Sequence, residues 1–456
     1  MADGQTIGKL RLPLPPGEQK SQELGTLPTR WRCWFGGGWT LRAPTDLHPT
    51  CHKFVVHARA RSAVFSMTPS ADSRYNDGME TAAQENFAIE DDQLDAAAAR
   101  RSLRPALIVS ARNIIEHTTF VRHLVVGLAD ESIPVALVCP PGYDMEPVAP
   151  VPATLLRHPL LDLPLVEHLG IERLAGQLEK YKPTVLHCLC ESRSGLTRQL
   201  ARLLDVPYVV MINSLASRLH KLPISPRRCA RIIVPAETIR ASVDKALSRF
   251  ADRIRQINIG TFVETDTICF TDPSRLASIV VAHPLHRVSD FEAFFRAVKA
   301  LLAGGREFMV AVMGTGPAEH ALRKLVTTLG LSDIVTIVPI LNPWRSVVAA
   351  GDIFVQPQPL RAFSVFLLEA MAVGTAVAAC RGGVDDLIIP DETAVVFEPN
   401  NEPSIRQALM QLLDGHDFAR RLAMTAQEHV RADHSVSAMV SAMLRTYAEV
   451  QQQYSR

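Results

Sequence analysis

The sequence predicts an α/β protein built from two doubly wound, Rossmann-like domains that face a central cleft. From Pro105 onward, continuous apolar runs alternate with amphipathic stretches, the pattern of parallel strands covered on both faces by crossover helices. The pattern restarts near residue 278 after a break over residues 260–272, which predicts two such units and a hinge between them. The length agrees, because 456 residues exceed the ~250–300 at which a single hydrophobic core stops growing.

Taken in order, the first unit reads as strand 106–111 (ALIVSA), helix 118–129, strand 134–139 (PVALVC) and helix 165–180. Strand 184–190 (TVLHCLC), helix 194–204, strands 208–213 and 230–236, a helix through Phe250 and a short strand 254–259 complete it. The second unit reads as strand 278–283 (SIVVAH), helix 291–303, strand 308–314, helix 318–329 and strand 335–339. A short helix at 344–350, strand 352–358, a helix from about 363 to 372 and strands 376–380 and 394–399 follow. Two more helices, 402–413 and 418–450, close the chain. The implied boundaries are an extension over 1–104, a first domain over 105–265, a second over 266–430, and a closing helix over 431–456. Residues 1–104 hold Trp31, Trp34, Trp39 and a GGG at 36–38 without sustained periodicity, so they are expected to be mostly disordered. A start of translation at Met67 or Met79 would also explain them.

Composition excludes several classes. Hydrophobic residues at 47% and charged residues at 21% are values of an ordinary globular chain. A net charge of +1 gives no general attraction for nucleic acid or anionic lipid. No apolar run reaches the ~20 residues of a membrane helix, which leaves only a peripheral membrane contact open. The eight cysteines show no framework of spacings and fit a reducing cytoplasm. His187-Cys188-Leu189-Cys190 lacks the second ligand pair that a zinc site needs, so buried strand cysteines are expected there and no metal.

Three motifs can carry chemistry. Gly314-Thr315-Gly316 lies between a strand and a helix, where free amides suit phosphate or a tight turn alone. Glu369, in the otherwise apolar LLEAMA run, could accept two hydrogen bonds from a ribose diol or simply favour a helix start. Gly382 and Gly383, after strand AVAAC, could let backbone approach a ligand or form a plain turn.

The run DIFVQPQPLRAFSVFLLEAMAVGTAVAACRGGVDDLIIP, with GTGP, KPTVLHCLCESRSGLTRQLARLLDVPYVV and RIIVPAETIR upstream, resembles the family 4 glycosyltransferases, retaining enzymes of the GT-B fold. The resemblance spans roughly residues 105–450. It implies a nucleotide-diphosphate sugar in the second domain, a glycan, lipid-linked or small-molecule acceptor in the first, and a closing helix that crosses back. It implies no cofactor and no metal.

Carried over by position, the resemblance places Glu369 at the ribose, with Gly314, Thr315, Gly316, Phe363, Ser364, Val365, Gly382 and Gly383 around phosphate and sugar. Asp386 stands for a glutamate after the glycine pair, Ser289 and Pro284 for a lysine and an arginine that grip the diphosphate, and Arg361 for a sugar-contacting glutamate. Asn213 stands for an acceptor-side histidine, and His187 is a second acceptor-side candidate. Transition-state charge on the departing diphosphate requires cations. Arg361 and Arg287 are therefore the expected catalytic substitutes, with His286 beside them. The expected function is sugar transfer from a nucleotide donor with retention; the alternatives are a non-catalytic scaffold of the same fold that binds sugar, nucleotide or protein, and a non-hydrolysing sugar-nucleotide epimerase.

Overall fold

A computed structural model of the chain describes residues 102–158, 164–215, 218–340 and 344–455. The expectations for the N-terminal extension and its alternative starts lie outside these residues.

The first domain runs β1 (Pro105–Ile108), α1 (Ala111–Glu116), α2 (Thr118–Asp130), β2 (Ala136–Cys139), β3 (Thr154–Arg157), α3 (Pro164–Tyr181) and β4 (Val185–Cys188). It continues through α4 (Ser194–Leu204), β5 (Tyr208–Met211), β6 (Cys229–Val234), α5 (Glu237–Ala246) and β7 (Ile254–Gln256). Its seven strands are parallel, in the order β3-β2-β1-β4-β5-β6-β7. Strands β1, β2, β4 and β5 are buried at every residue, which is why they read as apolar runs, interrupted only by His187 in β4. Edge strand β3 is largely exposed and carried no such signal. Helix α1 was also unforeseen. The Ser110 hydroxyl accepts the Asn113 amide at 3.2 Å while the Asn113 side chain accepts the Ser110 amide at 3.0 Å, a reciprocal cap that starts a one-turn helix directly after β1.

The second domain runs β8 (Ala277–Ala282), α6 (Ser289–Ala303), β9 (Phe308–Met313), α7 (Glu319–Leu329), β10 (Val335–Val338), α8 (Trp344–Ala349) and β11 (Ile353–Gln356). Then come α9 (Val365–Val373), β12 (Ala376–Cys380), β13 (Val395–Phe397), α10 (Glu402–Asp414), α11 (His416–Asp433) and α12 (Val436–Ser455). Six parallel strands are ordered β10-β9-β8-β11-β12-β13. All nine residues of α9 are buried, so the RAFSVFLLEAMA segment is a core element, with each large apolar side chain contributing about 1.5–3 kcal/mol.

The single helix expected over 418–450 is two helices, broken at His434 and Ser435. Tertiary pairing causes the break: the His434 ring hydrogen-bonds the Ile259 carbonyl at 2.8 Å, the Thr261 amide donates to the His434 carbonyl at 2.8 Å, and Ser435 pairs with Thr261. The chain therefore crosses between the domains twice, side by side. Beyond the second crossing, α12 packs on the first domain. Its buried Tyr447 hydroxyl meets His187 Nδ1 at 2.6 Å, and its Glu449 pairs with Arg255 at 2.9 Å.

Candidate functional site

In an open parallel sheet, ligands bind beyond the carboxyl ends of the strands where strand order reverses. Here the reversals fall between β1 and β4 and between β8 and β11. The segments after those four strands line one cleft of about 700 Å³: Arg112, Glu116 and His117; Glu191; His283, Pro284, His286, Arg287 and Asp290; and residues 358–366. Ser214 and Arg218 complete the first-domain wall.

The cleft is bridged at its floor. The Leu215 amide donates to the Arg361 carbonyl at 2.7 Å, the Phe363 amide donates to the Asn213 carbonyl at 3.0 Å, and the Arg361 guanidinium donates to the Leu215 carbonyl. Arg361 is thus both a cleft cation and an interdomain tie. Arg287 lines the same cleft, mostly exposed and 3.2 Å from Asp290. Phe363, Ser364 and Val365 also line this cleft, with Ser364 as the N-cap of α9, accepting the Leu367 amide at 3.2 Å.

Several expected ligands stand elsewhere. The Glu369 carboxylate is 1% exposed and does not reach the cleft. Arg345 forms an ion pair with it, and the buried Thr261 hydroxyl donates to its other oxygen at 2.8 Å. Arg345 also donates to the Phe262 carbonyl at 2.6 Å and to Glu264 at 3.1 Å, so the residue expected at a ribose is instead part of a hinge network.

Gly314 and Gly316 answer to backbone packing. A Cβ on either would sit 2.2 Å from a carbonyl oxygen, that of His283 or Leu285 respectively, so the 283–285 loop leaves no room for a side chain at either position. Thr315 is exposed there, and its carbonyl accepts the Leu285 amide at 3.1 Å. Gly382 and Gly383 have φ of 96° and 79°, and a Cβ on Gly383 would meet the Leu360 carbonyl at 2.2 Å, which makes them a close strand-edge turn. Ser289 is exposed at the start of α6 and outside the cleft lining.

Asp386 accepts the Thr238 amide at 2.9 Å. Thr238 lies in the first turn of α5, whose N-cap, Ala236, has no side-chain acceptor, so a carboxylate of the second domain caps a helix of the first. His187 is a fully buried residue of β4 facing Tyr447, and burial lowers its pKa to about 3. It is a core histidine that anchors α12. Asn213 is buried behind the wall, its side-chain Nδ2 donating to the Leu189 carbonyl at 2.8 Å.

Other cleft residues carried no expectation. His117 and His283 line the cavity, are 4% and 6% exposed, and each keeps a buried Nδ1 without a hydrogen-bond partner. Burial, then the Arg112 charge, lowers the pKa of His117 to about 3; burial, set partly against Asp290, lowers that of His283 to about 4. Both are neutral at physiological pH. Glu191 was also missed, although a carboxylate three residues past the end of a buried strand of a doubly wound sheet is a readable signal.

Two family models account for the two halves. The model described as Glycosyl transferase 4-like domain matches residues 117–258, and that described as Glycosyl transferases group 1 matches residues 278–415, together more than half of the chain. The chain belongs to the family 4 glycosyltransferases. Its likeness to curated relatives is partial: 29% identity over 162 residues to an alpha-D-kanosaminyltransferase of Streptomyces kanamyceticus, covering 35% of this chain and 42% of that one. To a D-inositol 3-phosphate glycosyltransferase of Corynebacterium efficiens it is 24% identical over 265 residues, covering 57% and 60%. The chain thus matches less than two thirds of the length of these family members.

Among solved structures it resembles a glycosyltransferase from Rickettsia africae, with TM-score 0.64, 15% identity, and 76% and 98% of the two chains covered. It also resembles Anabaena Alr3699/HepE in complex with UDP and glucose, with TM-score 0.63, 12% identity, and 75% and 99% covered. At these identities the likeness shows the fold, which is GT-B.

Proposed function

We propose that the chain transfers a sugar from a nucleotide-diphosphate donor to a hydroxyl of a glycan, lipid-linked or small-molecule acceptor, with retention of configuration. The observation that carries the reading is the convergence of both switch points on one cleft, whose second-domain wall bears Arg287, His286 and Arg361. Guanidinium groups match diphosphate geometry and stabilise the charge that develops on a departing diphosphate. Arg361 and Arg287 are assigned that role in place of the missing cations at Pro284 and Ser289. The acceptor is assigned to the first-domain side of the same cleft. UDP in the complex of Alr3699/HepE accords with a nucleotide donor. Among the described residues no helix is long and apolar enough to cross a membrane, and we assign the protein to the cytoplasm, acting on soluble or membrane-surface acceptors.

One observation favours a second reading, a scaffold that binds without transferring. The carboxylate of Glu369 is closed by Arg345 and Thr261, so in this state it offers nothing to a ribose. A thermal-shift series with UDP, GDP, ADP and their sugars separates the readings. A donor at a hundred times its Kd stabilises by about 2.7 kcal/mol. A shift accompanied by release of nucleoside diphosphate with an acceptor supports the transferase; a shift without release supports the scaffold.

A further inference from the structure

The cleft is lined by three carboxylates, two of which are already paired. Glu116 takes Arg112 at 2.6 Å and Asp290 faces Arg287 at 3.2 Å. Glu191 has no cation partner among the described residues. One of its oxygens accepts the Ser214 hydroxyl and the other faces the Asn213 amide at 3.4 Å, which leaves acceptor sites of an ionised carboxylate unused. The group sits on the turn Glu191–Arg193, beyond β4 at the first-domain switch point.

Its surroundings define a ligand. Ser214, which holds Glu191, pairs across the cleft with Ala362, beside Arg361. The first-domain wall therefore carries the unpaired Glu191 beside Arg112 and Arg218, and the facing wall carries Arg287, Arg361 and Asp290. His117 and His283 line the same cavity as neutral imidazoles, each with a buried ring nitrogen that lacks a partner. An anion with neutral imidazoles suits a ligand rich in hydroxyl donors and is wrong for phosphate.

We propose that Glu191, with His117 and His283, forms the subsite that holds the hydroxyls of the transferred sugar, the carboxylate accepting from one hydroxyl while the diphosphate lies against Arg287 and Arg361. The proposal rests on the reading of the cleft as a sugar-nucleotide site and deepens it by placing the carboxylate that holds the sugar on the first domain.

The test is calorimetric titration of the full chain with UDP, GDP and ADP, and with UDP-glucose, GDP-mannose and ADP-glucose, for wild type and Glu191→Gln. For a base that binds, the variant should keep the Kd of the bare diphosphate within about twofold. It should weaken the matching sugar nucleotide about tenfold or more, the loss of one charge-assisted hydrogen bond. Equal weakening of both ligands, or of neither, overturns the subsite while leaving the nucleotide reading standing. Failure of every nucleotide to bind wild type overturns that reading and the subsite with it. If Glu191→Gln does not fold, Glu191→Asp, which keeps the charge but withdraws it, should show the same selective loss.

Discussion

Arg345 closes on Glu369. The pair joins α8 to α9, and the hinge adds the Thr261 hydroxyl, the Phe262 carbonyl and Glu264 to the same guanidinium, so a single side chain ties two helices to the crossing between the domains. Removing the cation leaves a 1% exposed carboxylate without its counter-charge. Arg345→Ala should cost about 3 kcal/mol, the low end for a broken buried pair because Arg345 stays partly in water, and urea unfolding measures it. The double variant Arg345→Met, Glu369→Leu should recover much of that loss.

The cap between domains has a smaller, more specific effect. Asp386→Ala should cost about 1 kcal/mol by freeing the Thr238 amide, and thermal unfolding should report it. Asp386→Asn should keep most of the stability, since its side-chain oxygen can still accept and the second carboxylate oxygen is buried without a partner.

Acid should weaken the fold through its buried histidines. His117 and His187 are held to pKa values of about 3 and His123 and His283 to about 4, chiefly by burial, whereas unfolded histidine titrates near 6.5. Between those limits the unfolded chain binds more protons than the folded one, so stability falls as pH is lowered from about 6.5 toward 4 and is flat above 7. Each group contributes a slope of up to about 1.4 kcal/mol per pH unit. Urea midpoints at pH 7.5, 6.0 and 5.0 check the direction, and His187→Phe should flatten the slope.

Much of the architecture was legible because parallel strands buried on both faces are apolar at every position, as in AVAAC of β12. The switch points follow from that strand order. What stayed hidden depends on contacts distant in sequence. Nothing near LLEAMA announces that Arg345, 24 residues upstream, takes the carboxylate of Glu369. The interruption of the last helix comes from Ser435 pairing with Thr261, which helical periodicity cannot register. His187 looked like an acceptor ligand because its partner, Tyr447, lies 260 residues away. The glycines of GTG were read as a phosphate cradle or a tight turn and those of RGG as an approach to a ligand or a plain turn; in the structure Gly314, Gly316 and Gly383 each lie against the protein's own backbone.

The two arginines of the second-domain wall should act on the diphosphate. Arg287→Ala and Arg361→Ala should each weaken nucleoside diphosphate binding roughly ten- to a hundredfold, the worth of one or two charge-assisted hydrogen bonds. Titration calorimetry reads the loss. Arg361→Ala should also lower the melting temperature, because it removes the tie to Leu215, whereas Arg287, mostly exposed, should leave it unchanged.

The central claim is that this cleft moves a sugar off a nucleotide. The most direct measurement is release of nucleoside diphosphate from UDP-glucose, GDP-mannose and ADP-glucose by the full chain with a panel of hydroxylated acceptors, with Arg361→Ala as control. The account predicts release from one donor, falling about a hundredfold or more in the variant, in keeping with loss of a donor to developing charge. Release that is absent for every donor, or equal in wild type and variant, would contradict it.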